Sequence, residues 1–126
     1  MNNVTNMNAM FYGAESFNQP IYNWDVSNVE NMSGMFSWTK FFNQPIGDWN
    51  VSNVEDMQCM FNHAKSFNQP IGNWDTSNVK YMSFMFNSAE SFNQPIKVWD
   101  ISKVDRNINI FCDCPIKEEY KPKFKK

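Results

Sequence analysis

The sequence has no leucine, a single histidine and no apolar run long enough to span a membrane. Its 42% hydrophobic and 19% charged residues, over 126 positions, are nevertheless typical of one soluble domain. Phenylalanine (12), methionine (9) and tryptophan (5) supply apolar side chains in place of leucine. Residues 1–4 show neither the basic nor the apolar region of an export signal, so we expect no signal peptide and no membrane insertion.

Cysteine and positive charge are also scarce in most of the chain. Cys59, Cys112 and Cys114 are an odd number in a chain of ordinary size, so a disulfide framework is not expected. Residues 1–116 carry 6 Lys and Arg against 11 Asp and Glu, whereas residues 117–126 carry 5 against 2. An acidic body with a short basic tail offers no surface for phosphates, which argues against a nucleic-acid partner.

What the sequence has in abundance is repetition. The tetrapeptide Phe-Asn-Gln-Pro begins at Phe17, Phe42, Phe67 and Phe92, so the period is 25 residues. A period of this length is typical of proteins whose units stack in a line and bury their apolar faces against their neighbours. We assign the recurring aromatic residues to this structural core: Trp24, Trp49, Trp74, Trp99, Phe36, Phe61 and Phe86.

Apolar spacing within each unit predicts a short helix. In the second unit the apolar residues are Val29, Met32, Met35 and Phe36, and steps of three, three and one place them on one helical face. Ser27 with Glu30, and Ser52 with Glu55, have the spacing of a capping box at the start of such a helix.

The residues just before each helix favour a strand. In 24–26 and its equivalents, aromatic and β-branched side chains alternate with an acid or amide, which suits a very short strand. We therefore predict an α/β fold, a leucine-rich-repeat-like solenoid with one short parallel β-strand and one short helix per 25-residue repeat.

The repeat register also predicts the organisation of the chain. We expect a single solenoid over residues 1–116, followed by a charged tail over 117–126. The solenoid consists of a partial first unit, 1–16, and four further units, 17–41, 42–66, 67–91 and 92–116. The last unit departs from the repeat pattern and is expected to act as a C-terminal cap. In the stack, Asn18, Asn43, Asn68 and Asn93 are expected to form an asparagine ladder.

The units resemble those of a known bacterial family. Residues 66–79, followed by Met82, Met85 and Phe86, resemble the repeats of BspA-like leucine-rich-repeat surface proteins, long classed as a domain of unknown function. This resemblance implies a leucine-rich-repeat-like solenoid, a cell-surface location and, for some members, attachment to host proteins or other cells. It implies no catalytic residues. The sequence departs from the surface-protein pattern because it shows no signal peptide and no cell-wall anchor.

Residue types capable of chemistry are few and isolated. His63 lies four residues after Cys59, which on a helix would bring a thiol and an imidazole to one face, but two such groups do not hold zinc. Cys112 and Cys114 have no second pair at metal-ligand spacing, so we assign them to core or cap. We predict no catalysis, no metal and no cofactor.

A stripe of oxygen-bearing side chains recurs once per unit, at Asp25, Asn50, Asp75 and Asp100. Such a stripe is able to attract Ca²⁺ or a basic partner. The alternative, which we favour, is a local Asx-turn into the serine that follows two residues later.

Positions that differ between units are the candidates for binding. Trp38 stands where other units have Gly13, His63, Ser88 and Asp113, and Phe41 stands where they have serine. We predict that Trp38 and Phe41 form an exposed patch that contacts a partner, with Tyr22 and Tyr81 as weaker candidates.

The first unit lacks a preceding strand, so its apolar residues Val4, Met7 and Met10 are predicted to form an open, self-associating face. The function predicted from the sequence is a non-catalytic repeat scaffold for protein–protein interaction or adhesion. The alternatives are a structural element that self-assembles through this open end, with another copy as its partner, and a carbohydrate-binding module.

Overall fold

The structure, a computed structural model, describes residues 3–124. Its backbone winds into coils of 25 residues that lie one above another: 3–27, 28–52, 53–77, 78–102 and 103–124. Parallel single-residue β-bridges join each coil to the next, in the series Asn6–Asn31, Asn31–Asp56, Asp56–Tyr81 and Tyr81–Arg106. The sequence period is therefore the distance along the chain between stacked residues.

Each coil contains a turn segment, defined by residues 32–39 and their equivalents 7–14, 57–64, 82–89 and 107–114. In the second coil, alternate N–H groups donate to the next coil: Met32 to Asp56, Gly34 to Gln58, Phe36 to Met60 and Trp38 to Asn62, over 2.8–2.9 Å. Between them, the N–H groups of Met35 and Ser37 donate to the carbonyl three residues back in the same coil, and the Ser33 N–H donates to the Asn31 side chain. Overlapping β-turns and bonds between coils thus share the backbone donors.

Two residues of every turn segment have positive φ. In the second coil they are Gly34 (65°) and Trp38 (62°), each the third residue of a β-turn. This is the position at which a type II turn requires a left-handed backbone. The equivalents in other coils are mostly not glycine: Ala9, Cys59, Phe84 and Asn109, and His63, Ser88 and Asp113.

The predicted α/β class is wrong. The only regular element in residues 3–124 is the 3-10 helix Glu118–Tyr120, and contacts between coils are single bridges rather than strands of a sheet. A helix cannot form at 29–36 because alternate N–H groups leave the coil and because Gly34 has positive φ. The leucine-rich-repeat-like arrangement of strand and helix is corrected accordingly.

The residues predicted to begin the helix and to form the strand are also in turns. The Ser27 hydroxyl donates to the Asp25 carboxylate over 2.6 Å, so it makes an Asx-turn rather than a capping box with Glu30. The N–H groups of Trp24 and Val29 donate to carbonyls three residues earlier, which is the bond of a tight turn. A strand at 24–26 would need these donors for a ladder.

The core consists of columns of aromatic and apolar side chains, one member per coil. Phe36 stacks on Phe61, and Phe61 on Phe86, with ring centroids 5.6 and 5.5 Å apart. Phe36, Phe61, Phe86, Trp49, Trp74 and Trp99 are buried, and Trp24 in the first coil is half-buried. The buried indole N–H of Trp49 donates to the carbonyl of Ile21 in the coil below, over 3.0 Å, and Trp74 and Trp99 repeat this bond. Burial of the ring and satisfaction of its polar edge therefore depend on the neighbouring coil.

An asparagine ladder runs beside the prolines. The side-chain oxygen of Asn18 accepts from the backbone N–H of Asn43, and Asn43 and Asn68 do the same for the next coil, over 2.8–2.9 Å. The same oxygen also accepts from the amide of the following coil's glutamine, as in Gln94 to Asn68. At the top, Asn93 accepts from the N–H of Lys117.

The tail closes one part of the stack. The carbonyl of Tyr120 accepts from the N–H of Ile96 over 2.9 Å, and Tyr120 and Phe124 pack against the core cluster. Within the part of the chain that the structure describes, no helix is both long and apolar enough to cross a membrane.

The ladder gives a first prediction. Asn68→Ala removes the acceptor for the Asn93 N–H and the Gln94 amide, which should lower the free energy of unfolding by about 1–3 kcal/mol in urea denaturation. Asn73→Ala, at an exposed asparagine of the same coil, should stay within about 0.5 kcal/mol of the original chain. Equal losses in the two variants would contradict a stabilising role for the ladder.

Candidate functional site

Trp38 is exposed at a strained position of the backbone. Its side chain is 46% exposed, and its φ is 62°. A bulky residue in the left-handed region costs free energy that a glycine at the same position avoids. The indole stacks on the imidazole of His63 in the next coil, with ring centroids 3.8 Å apart and planes within 6°. Only one face of the indole is covered by this contact.

The other face of Trp38 is turned toward the first coil, where the equivalent residue is Gly13. A Cβ at Gly13 would meet no atom within 4 Å, so the space beside the indole is open. This space is a groove of about 510 Å³, which we call the Trp38 groove. Its lining residues are Tyr12, Gly13, Glu15, Trp38, Lys40, His63 and Lys65.

The charges around the groove are unlike those of the rest of the stack. Lys40 and Lys65 occupy equivalent positions of neighbouring coils, and both line the groove. The first and fourth coils have Glu15 and Glu90 at this position. Two lysines and one glutamate therefore line the groove of a body that is acidic as a whole, and this lining suits a ligand that combines a planar apolar group with negative charge.

The other predicted partner-binding residues do not share this groove. Phe41 is 52% exposed, outside the lining of the Trp38 groove, and the Lys40 ammonium lies 5.4 Å from its ring centroid. Tyr22 is exposed at one end of a second groove, of about 640 Å³, whose wall includes Pro45, Pro70 and Gly72. Tyr81 is half-buried, and the Arg106 guanidinium packs over its ring at 5.1 Å. The structure thus places the four residues at four separate locations.

The predicted self-associating residues differ in accessibility. Met10 is 43% exposed, Val4 is half-buried, and Met7 is only 2% exposed because it packs into the core. The open face of the first coil is therefore formed by Met10 rather than by Met7.

Cys59 and His63 do not form a reactive pair in this geometry. Both are in left-handed turn positions, and the His63 ring is stacked on Trp38. Burial, and then the nearby Asp56 carboxylate, raise the pKa of the Cys59 thiol, which disfavours the nucleophilic thiolate. Burial likewise raises the pKa of Cys114. Among the described residues, no group of three His, Cys, Asp or Glu side chains is placed to hold a metal ion.

The stripe of Asp25, Asn50, Asp75 and Asp100 forms Asx-turns. Each side-chain oxygen accepts from the backbone N–H of the serine two residues later, over 3.0–3.1 Å. The pKa of each of the three aspartates is lowered, first by the serine hydroxyl and then by its backbone N–H. These oxygens are used locally, as the Asx-turn interpretation expects.

Sequence reasoning identified Trp38 but missed Tyr12, Lys40 and Lys65. The available signal was the same one that marked Trp38, namely a position at which equivalent residues differ between units. These variable residues form a site only when the coils stack, because lining residues that belong to different coils are far apart in the sequence.

The fold and this surface define a class of protein: a stack of repeated turns whose constant residues form the core and whose variable residues form surface sites. The family model described as "Mycoplasma protein of unknown function, DUF285" matches residues 1–74 and 45–118. Since the two overlapping matches cover most of the sequence, the chain belongs to this family. Comparisons with curated proteins and with solved structures gave no match.

The Asx-turns predict a specific acid sensitivity. Because the pKa of these aspartates is lower in the folded chain, their stabilisation is complete above the ordinary value of 3.8 and is lost as pH falls through the lowered folded values. Replacing Asp25, Asp75 and Asp100 by asparagine keeps an acceptor, as at Asn50, but removes the titration. We expect the urea concentration at the midpoint of unfolding to decrease less steeply with falling pH in this triple variant than in the original chain.

The control is Asp48→Asn, which removes an exposed carboxylate outside these turns and should leave the slope unchanged. A triple variant with the acid sensitivity of the original chain would contradict the assignment of this effect to the Asx-turns.

Proposed function

We propose that this chain is a non-catalytic recognition scaffold that binds a protein partner through the Trp38 groove. The single observation that carries the proposal is Trp38 itself, a large aromatic side chain that is half exposed on a left-handed backbone. The left-handed position recurs in every coil, so what sets Trp38 apart is the large exposed ring at a position that other coils fill with Gly13, His63, Ser88 and Asp113. Aromatic residues in surface depressions are frequent anchors of protein interfaces.

The groove favours a particular kind of partner segment. The uncovered face of the indole, opposite Gly13, suits a planar side chain that inserts and stacks. Lys40 and Lys65 lie where they are able to pair with carboxylates that flank such a side chain. We therefore propose that the ligand is an acidic segment with one aromatic anchor.

The resemblance of the repeat units to BspA-like surface proteins suggests the setting for this binding. Some members of that group attach to host proteins or to other cells, so we propose adhesion as the role of the scaffold. The proposal rests on the repeat units of residues 66–86 and on the exposed groove.

The test measures the binding of short peptides to the purified chain by calorimetry. The probe is a peptide with one tryptophan flanked by glutamates, compared with versions in which alanine replaces the tryptophan or lysine replaces the glutamates. We expect binding of the first peptide only, weakened by salt because the charges are exposed. Trp38→Gly should abolish it, and Lys40→Glu with Lys65→Glu should weaken it.

The chain provides a matched control for the central variant. Phe84 is also an exposed aromatic residue with positive φ, but it lies outside the groove. Phe84→Gly should therefore relieve similar strain while retaining binding. In Trp38→Gly, relief of the left-handed strain and loss of the stack on His63, each of order 1 kcal/mol, should leave the melting temperature nearly unchanged.

Two results would contradict the proposal. Equal binding by Trp38→Gly and the original chain would exclude the groove as the site. Retention on a neutral polysaccharide that depends on Trp38, without binding of any acidic peptide, would instead assign the aromatic groove to carbohydrate.

A further inference from the structure

A second groove runs across the tips of the tight turns that lead into the tryptophans. In each of these turns the tryptophan N–H donates to the isoleucine carbonyl three residues back, as Trp49 does to Ile46. The two residues at the turn tip differ between coils: 22–23 are Tyr-Asn, 47–48 Gly-Asp, 72–73 Gly-Asn and 97–98 Lys-Val. We call the depression across these tips, about 640 Å³ in volume, the Tyr22 groove.

Two glycines open the middle of this groove. Tyr22 stands at one end and Lys97 at the other, and both line the groove. The equivalent residues between them are Gly47 and Gly72, so no side chain fills the space. A Cβ at Gly47 would lie 2.5 Å from the carbonyl oxygen of Pro70 in the next coil, and Gly72 has the equivalent close contact at 2.8 Å. The backbone of the stack itself therefore keeps the middle of the groove open.

The groove presents free hydrogen-bonding groups of both kinds. Within residues 3–124, the side chains of Asp48, Asn73 and Lys97 form no hydrogen bond or ion pair. In the same range, the N–H groups of Gly47 and Gly72 donate to no acceptor. Donors and acceptors are therefore mixed within a short distance. A hydroxyl group both donates and accepts, so a ligand rich in hydroxyl groups matches this lining.

Apolar surface lies beside these polar groups. The side chain of Tyr22 is 59% exposed, and that of Val98, at the other end, is 82% exposed. Three equivalent prolines of successive coils are also lining residues: Pro45, Pro70 and Pro95. A sugar ring packs its C–H face on an aromatic or aliphatic surface while the hydroxyl groups at its edge reach polar groups. The lining therefore has the two properties that a sugar requires.

Charge and length narrow the class of ligand further. Among the described lining residues, Asp48 and Lys97 carry the only charges, one of each sign, so the groove is neutral as a whole. The lining belongs to four coils, and equivalent phenylalanine rings of successive coils lie 5.5–5.6 Å apart. A ligand that spans the groove is therefore uncharged and longer than a single sugar.

We propose that the Tyr22 groove binds a linear chain of uncharged sugars, with one sugar ring packed on Tyr22. The hydroxyl groups of the chain bond to Asp48, Asn73 and Lys97. A proline-rich peptide matches the groove less well, because proline supplies no N–H for the Asp48 carboxylate. The site shares no lining residue with the Trp38 groove and differs from it in the chemistry of its ligand.

The test titrates oligosaccharides into the purified chain by calorimetry. The probes are β-linked hexamers of glucose, mannose, xylose and N-acetylglucosamine, each compared with its disaccharide. We expect at least one hexamer to bind, and to bind more tightly than its disaccharide because the groove extends over four coils. Added salt should leave this affinity unchanged, because the ligand carries no charge.

Variants of the exposed lining residues locate the binding. Tyr22→Ala removes the packing surface and should weaken binding about tenfold, whereas Tyr22→Phe keeps the ring and should bind like the original chain. Asn73→Ala and Lys97→Ala should each weaken binding about three- to tenfold. The matched control is Phe41→Ala, which removes a 52% exposed ring outside both grooves and should leave the affinity unchanged. Urea denaturation of each variant checks that it is folded.

Three outcomes would overturn the proposal. The first is that no hexamer binds the original chain. The second is that Tyr22→Ala binds as tightly as Phe41→Ala. The third is that a decaproline peptide or polygalacturonate binds more tightly than every hexamer. None of these measurements uses the acidic tryptophan peptide or a variant of Trp38, so they leave the proposed recognition function separately testable.

Discussion

The structure depends on the hydrogen bonds that alternate N–H groups of one turn segment donate to carbonyls of the next coil. These bonds hold successive coils in a register of 25 residues, and the register alone places equal side chains above one another. The aromatic columns, the asparagine ladder and the indole bonds of Trp49, Trp74 and Trp99 all follow from that placement. The coils between residues 3 and 102 contain no helix or strand to stabilise them, so stability belongs to the contacts between coils.

This arrangement divides the residues by role. A residue that recurs in every unit has an identical neighbour above and below, and such columns become core or ladder. A residue that differs from its equivalents is released from that constraint, and where several such residues are adjacent in the stack they create a local surface. Trp38 opposite Gly13, beside Lys40 and Lys65, is the clearest case. The stack requires the positive φ at this position, but a large exposed ring there adds a cost that a glycine, as at Gly13, avoids.

The bonds between coils run in two directions. Within the turn segments the N–H groups donate to the following coil, whereas the N–H groups of Glu30, Glu55 and Lys80 donate to the preceding coil. The Trp38 groove lies on the side of the stack, where residues of three coils meet.

The sequence by itself determined the period, the register and the residues that recur, because residues that stack on one another recur in the sequence at a fixed spacing. It also marked Trp38, since a single departure from a repeated pattern is visible without a structure. It did not determine the local backbone conformation. Apolar residues three positions apart lie on the same side of a helix, and they also lie on the same side of a series of overlapping β-turns. The spacing of Val29, Met32 and Met35 is therefore compatible with both conformations. Only the tertiary structure decided between them, because the choice depends on where alternate N–H groups find acceptors, and those acceptors lie about 25 residues away in the next coil. For the same reason only the stack brought Tyr12, Trp38, His63 and the two lysines to one groove.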